Sequence, residues 1–153
     1  MDLILWRHAE AEDDASDDLQ RPLTPRGLKQ ADRMAKWLNQ RLPHRVRVLA
    51  SPAVRTQQTA LALERKFRTV DALAPGGSAE ALLAAARWPD SSEPVLVVGH
   101  QPTLGQAVAW LLGGVDDASW SIRKGGVWWL RRRPERDGQA QTLLLAALSP
   151  EML

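Results

Sequence analysis

Strands alternating with helices, closed by a hairpin, predict an α/β fold for this 153-residue chain. The expected form is a three-layer sandwich with a mainly parallel central sheet, an antiparallel edge and helices on both faces. Three observations carry this. The apolar runs at residues 3–6 and 95–98 are continuous rather than alternating, as in strands covered on both faces. Between them apolar residues recur at three- and four-residue spacing, the period of a helix with one buried stripe. Beyond residue 120, strand-like runs are punctuated by Gly125-Gly126 and Asp137-Gly138, which supply turn chemistry.

In order, residues 3–6 form a buried strand, followed by an acidic loop carrying Glu10, Glu12, Asp13, Asp14, Asp17 and Asp18. Thr24 caps a helix with Pro25 in its first turn. Leu28, Ala31, Ala35, Leu38 and Leu42 make its buried stripe, and Pro43 closes it. Residues 46–50 are a second strand, and Ser51-Pro52 repeats the cap-plus-proline start for a helix through Thr59 and Leu63 toward Phe67. After Pro75-Gly76-Gly77, Ser78 caps an alanine-rich helix that ends near Trp88-Pro89. Strand 95–98 turns through Gly99-His100-Gln101-Pro102 into helix 104–112, and strands follow at 120–123, 127–131 and 142–147. Of seven tryptophans, Trp6, Trp110 and Trp128 or Trp129 are expected in the core.

Nothing divides the chain: there are no repeats, low-complexity tails or linkers, so a single domain over 1–153 is expected. Hydrophobic residues at 44% and charged residues at 25% are the balance of a soluble globular protein. Arg7 ends the first apolar run too early for a signal peptide or a membrane span, so the expected compartment is the cytoplasm. With no cysteine, disulfides, thiolate catalysis and cysteine-ligated zinc are excluded. A net charge of +2 is a poor footprint for a nucleic-acid binder. The dense basic run Arg131-Arg132-Arg133 is either a solvated strand end and turn or a docking patch for an acidic partner.

Three of the expected strands end in titratable groups: Arg7-His8, Ser51-Pro52-Ala53-Val54-Arg55 and Gly99-His100. Ligands of open α/β sheets bind at the carboxyl ends of strands, so these motifs would converge on one pocket. Arginines and histidines converging there suit an oxyanion with several oxygens, phosphate above all, because a guanidinium bonds two such oxygens at once. A helix starting near Pro52 would add its positive end.

Arg7-His8-Ala9-Glu10 resembles the signature of the histidine phosphatase superfamily, the phosphoglycerate mutase-like fold. Residues 51–59, Ser-Pro-Ala-Val-Arg-Thr-Gln-Gln-Thr, resemble its second block, and Val98-Gly99-His100 its third. Residues 21–27, Arg-Pro-Leu-Thr-Pro-Arg-Gly, match a further block, and the short chain resembles the SixA branch, the small phosphohistidine phosphatases. The resemblance implies that His8 is a nucleophile that becomes phosphohistidine, while Arg7, Arg55 and His100 hold the phosphoryl oxygens and Arg21 adds a basic group. It also implies neither metal nor cofactor. The implied partner is a phosphohistidine-bearing protein, such as a histidine phosphotransfer domain, or else a small phosphorylated metabolite; neither nucleic acid nor a membrane is implied. A non-catalytic phosphate-binding module is the alternative from another class.

Larger members carry an acid between the second and third blocks that protonates the leaving oxygen. Here Glu80 is the best-placed acid of that stretch, and it equally suits a residue that complements the helix N-terminus. A site without a strong acid suits an imidazole leaving group, whose pKa of about 6.5 lies far below that of an alcohol. The acidic loop reads as a solvated loop, as a rim that balances the cationic pocket or recognises a partner, or as a metal site.

Overall fold

The computed structural model describes residues 1–13, 16–114 and 118–153, so Asp14 of the acidic loop lies outside the described residues. One six-stranded sheet organises them, in the order β3-β2-β4-β1-β5-β6. Its strands are β1 (Asp2–Arg7), β2 (Arg47–Ala50), β3 (Arg68–Thr69), β4 (Val95–Gly99), β5 (Val127–Arg136) and β6 (Gln139–Leu148). The first four run parallel, while β5 pairs antiparallel with β1 and β6 antiparallel with β5. Among the described residues the α-helices are α1 (Pro25–Asn39), α2 (Val54–Leu61), α3 (Ala79–Ala85) and α4 (Thr103–Gly113).

The continuous apolar strands are explained by cover on both faces. Ile4, Trp6, Val48, Leu96 and Val98 pack against Ala31, Met34, Ala35 and Leu38 of α1 and Ala60 of α2. The alternate residues Leu3, Leu5, Leu49, Val95 and Val97 pack against Leu82 and Leu83 of α3 and Leu104, Ala107 and Val108 of α4. This is the three-layer sandwich with a mainly parallel sheet and an antiparallel edge that the sequence predicts.

Several details differ. Helix α2 is capped at Ala53, not Ser51, and ends at Leu61, because the chain must turn to lay β3 beside β2. That two-residue strand has no periodicity to announce it. Helix α3 ends at Ala85, short of Trp88-Pro89. Residues 120–123 are not a strand; the segment crosses the carboxyl end of the sheet, with Trp120 N donating to Gly105 O and its carbonyl accepting from Gln101. Leu28 is half exposed on α1, where Gly27 and Gln30 are buried in its place. Trp6 and Trp129 are buried as expected, but Trp110 is 44% exposed on the outer side of α4. Arg131-Arg132-Arg133 lies within β5 rather than in a turn, and Asp2 holds Arg131 through Nε at 2.7 Å and Nη2 at 2.8 Å. The hairpin turn is at Asp137-Gly138, both with positive φ (57° and 80°), the backbone such a tight turn requires.

Candidate active site

Strand order builds the site. Because β4 lies between β1 and β2, three carboxyl ends are adjacent: Arg7 pairs with Gly99, and Ser51 N donates to Val98 O at 3.1 Å. His8 N donates to Gly99 O at 3.1 Å, and Gly125 N donates to the His8 carbonyl at 2.9 Å. His8 and His100 thus come to neighbouring strand ends, their ring centroids 5.3 Å apart and tilted by 54°.

Both histidines are almost fully buried, and each is held neutral. Burial pushes His8 down to about 3, with His100, Arg55 and Arg7 adding to the effect against a bond to Ala9. His100 is pushed down to about 4, again by burial first and then by Arg55, with Asp18 opposing. His8 Nδ1 lies 2.7 Å from the Ala9 carbonyl oxygen. A carbonyl only accepts, so Nδ1 carries the proton and Nε2 keeps a bare lone pair. His100 Nε2 lies 2.7 Å from Ser51 Oγ. That hydroxyl also accepts Ala53 N–H at 3.2 Å, and with one proton and a second lone pair left it matches either tautomer of His100.

Three arginines surround the pair. Arg7 Nη1 donates to Ile122 O at 2.8 Å, and burial lowers its pKa. Arg55, only 4% exposed, donates through Nη1 to Asp18 O at 2.7 Å, and its Nη2 lies 3.2 Å from Asp18 Oδ2. Arg21 Nη1 lies 3.4 Å from Asp18 Oδ1. The Nε atoms of Arg7, Arg21 and Arg55 are all buried without a partner. What suits the place to acceptor oxygens is the gathering of three guanidiniums about two neutral imidazoles, since a guanidinium can bond two such oxygens at once.

The block at residues 21–27 explains how Arg21 arrives. Thr24 caps α1 by accepting from Gly27 N, and its own N–H donates to Glu10 O at 3.0 Å. Leu23 N donates to Gln58 Oε1 of α2, and Gln30 Oε1 of α1 accepts from Glu10 N. Position 27 must be glycine here, since a β-carbon would collide with the Glu10 carbonyl. Thr59 completes the support: its Oγ1 accepts from Ala9 N at 3.1 Å and donates to Arg55 O at 2.7 Å.

The structure therefore brings Arg7, His8, Arg21, Arg55 and His100 together. It does not bring Glu80 to them. Ser78 caps α3 and leaves Glu80 exposed on its first turn, where it lines one cleft with Gln106 and Trp110 and another with Leu83, Trp88 and Arg132. Two side chains not singled out from the sequence belong to the site, Ser51 through His100 and Asp18 through the arginines. In the sequence Ser51 is legible as a helix cap and as the first residue of the second block, and Asp18 as one of six acids in a loop for which a rim balancing the cationic pocket is one reading. Among the described residues, no group of three or more histidine or acidic side chains forms a candidate metal site. Nor is any described helix long and apolar enough to cross a membrane.

Comparison with known proteins agrees with this chemistry. A family model described as histidine phosphatase superfamily (branch 1) matches residues 3–74. A phosphohistidine phosphatase SixA homolog of Haemophilus influenzae is 36% identical over 74% of this chain and 78% of its own length. Phosphohistidine phosphatase SixA of Escherichia coli K12 is 34% identical over 74% of this chain and 76% of its own. A solved structure of the protein histidine phosphatase SixA complexed with tungstate superposes with a TM-score of 0.77 at 26% identity, covering 99% of each chain.

Proposed function

Since the chain belongs to the histidine phosphatase superfamily and is of SixA type, we propose that it hydrolyses phosphohistidine in a protein through a covalent intermediate on His8. The observation that carries this reading is the state of His8: buried, neutral, and with its proton fixed on Nδ1 by the Ala9 carbonyl. An imidazole must be neutral to attack phosphorus, and here it needs no base to make it so.

In the first step His8 Nε2 forms a bond to phosphorus as the nitrogen–phosphorus bond of the substrate breaks. The substrate imidazole leaves and takes a proton from water. In the second step water attacks the phosphorus and gives a proton to the hydroxide left by the first step, the bond to Nε2 breaks, and orthophosphate departs. One water is consumed and His8 is regenerated. Phosphoryl transfer asks chiefly for positioning and charge stabilisation. Arg7, Arg55 and Arg21 supply cationic donors, and in the tautomer whose Nε2 accepts the Ser51 hydroxyl proton, His100 offers Nδ1–H to a phosphoryl oxygen. The exposed position of Glu80 suits a leaving group that departs without a strong acid, which favours phosphohistidine over phosphate esters. We extend the reading to one domain spanning 1–153 that works in the cytoplasm.

Rapid quench with a phosphohistidine protein carrying labelled phosphorus tests the proposal. The wild type should accumulate an acid-labile phosphoenzyme and His8→Ala should form none. Unlabelled wild type would refute the nucleophile. Sugar phosphates outrunning phosphohistidine in kcat/KM by a large factor would refute the substrate.

A further inference from the structure

Asp18 bridges two of the three arginines of the site. Its two carboxylate oxygens reach two different guanidiniums, Oδ2 to Arg55 Nη2 at 3.2 Å and Oδ1 to Arg21 Nη1 at 3.4 Å. Two oxygens of a phosphoryl group would use these same donors. Arg7, by contrast, bonds a neutral carbonyl.

The two contacts to Arg55 differ in kind. The carbonyl contact at 2.7 Å belongs to the backbone of the turn Asp18–Gln20, which Asp17 secures by accepting from Leu19 N at 3.0 Å. The carboxylate is 57% exposed, so it can exchange its ion pairs for water at little cost. Arg55 therefore stays aimed into the site by the carbonyl while the carboxylate is free to come and go.

We propose that the Asp18 carboxylate is a built-in competitor for the phosphoryl group. It pairs with Arg55 and Arg21 in the empty site, gives way as an oxyanion enters, and returns as orthophosphate leaves. It thereby keeps product binding weak in a pocket whose cations would otherwise retain it. This deepens the reading above and rests on it.

Asp18→Asn tests the idea, because it removes the charge while keeping the side-chain shape and the main-chain carbonyl. Titration calorimetry with orthophosphate at fixed ionic strength should show binding about tenfold tighter than in wild type, or ~1.4 kcal/mol. The competitive inhibition constant of orthophosphate against a phosphohistidine substrate should fall by the same factor, and KM should fall with it. A purely structural role predicts the reverse, since a misplaced Arg55 weakens every oxyanion. Asp18→Ala, checked by urea unfolding, should tighten binding in the same direction. Unchanged or weaker orthophosphate binding in folded variants overturns the competitor role and leaves the phosphatase reading intact. No orthophosphate binding to wild type or to either folded variant overturns both.

Discussion

Lowering the pH from 7.5 to 5.0 should destabilise this protein through His8 and His100. Both are held below their ordinary value, His8 at about 3 and His100 at about 4, by burial first and by surrounding cations. The unfolded chain takes up protons on these imidazoles at about 6.5, while the native site refuses them. Stability therefore rises with pH where the unfolded state binds more protons, and it is lost as pH falls from about 6.5 toward the native values. At pH 5.0 each histidine has forfeited about 2 kcal/mol relative to pH 7.5, so the pair accounts for ~4 kcal/mol. The window stops above the range in which carboxylates titrate. Urea unfolding followed by tryptophan fluorescence reads this directly, and ~4 kcal/mol moves the midpoint by about 2 M for a domain of this size. The control is His8→Gln with His100→Gln, which should lose ~4 kcal/mol less than wild type over the same interval. Each single variant should recover about half. His44 is common to all four proteins and cancels in the comparison. If wild type and the double variant lose equal stability, the histidines are not held neutral, and the argument for a nucleophile that needs no base fails.

Two further substitutions probe the supports of the site. Ser51→Ala removes the partner of His100 Nε2 and should cost about 1–3 kcal/mol by urea unfolding, with kcat falling about tenfold. Wild-type activity in that variant would show that Ser51 does not orient the ring. Gly27→Ala drives a β-carbon into the Glu10 carbonyl and should destabilise the fold by about 1–3 kcal/mol. A neutral effect would mean that α1 and the loop after His8 are not locked together.

Glu80 and Asp18 together show where sequence reading succeeds and where it stops. Glu80 is the best-placed acid between the second and third motifs and equally a complement to the helix N-terminus, and order along a chain says nothing about which side of a helix faces a pocket. Asp18 was one acid in a run of several, and its selection depends on a turn that folds back over α2. Ser51 has the right chemistry for a helix cap, yet its hydroxyl is needed where β2 and β4 end side by side.

By itself, the sequence determined the alternation of buried strands and helices, because burial on both faces demands continuous apolar runs and one-sided cover demands a helical stripe. It also determined which cationic residues follow the strands, since those motifs are local. Tertiary structure alone decided the rest. Inserting β4 between β1 and β2 put His100 beside His8, and burial then fixed both as neutral. Residues 120–123, expected as a strand, belong instead to a segment that crosses the end of the sheet, where Ile122 O holds Arg7 and Gly125 O holds Trp6. These outcomes depend on contacts between residues as many as 119 positions apart, and no local pattern of propensity or spacing encodes such contacts.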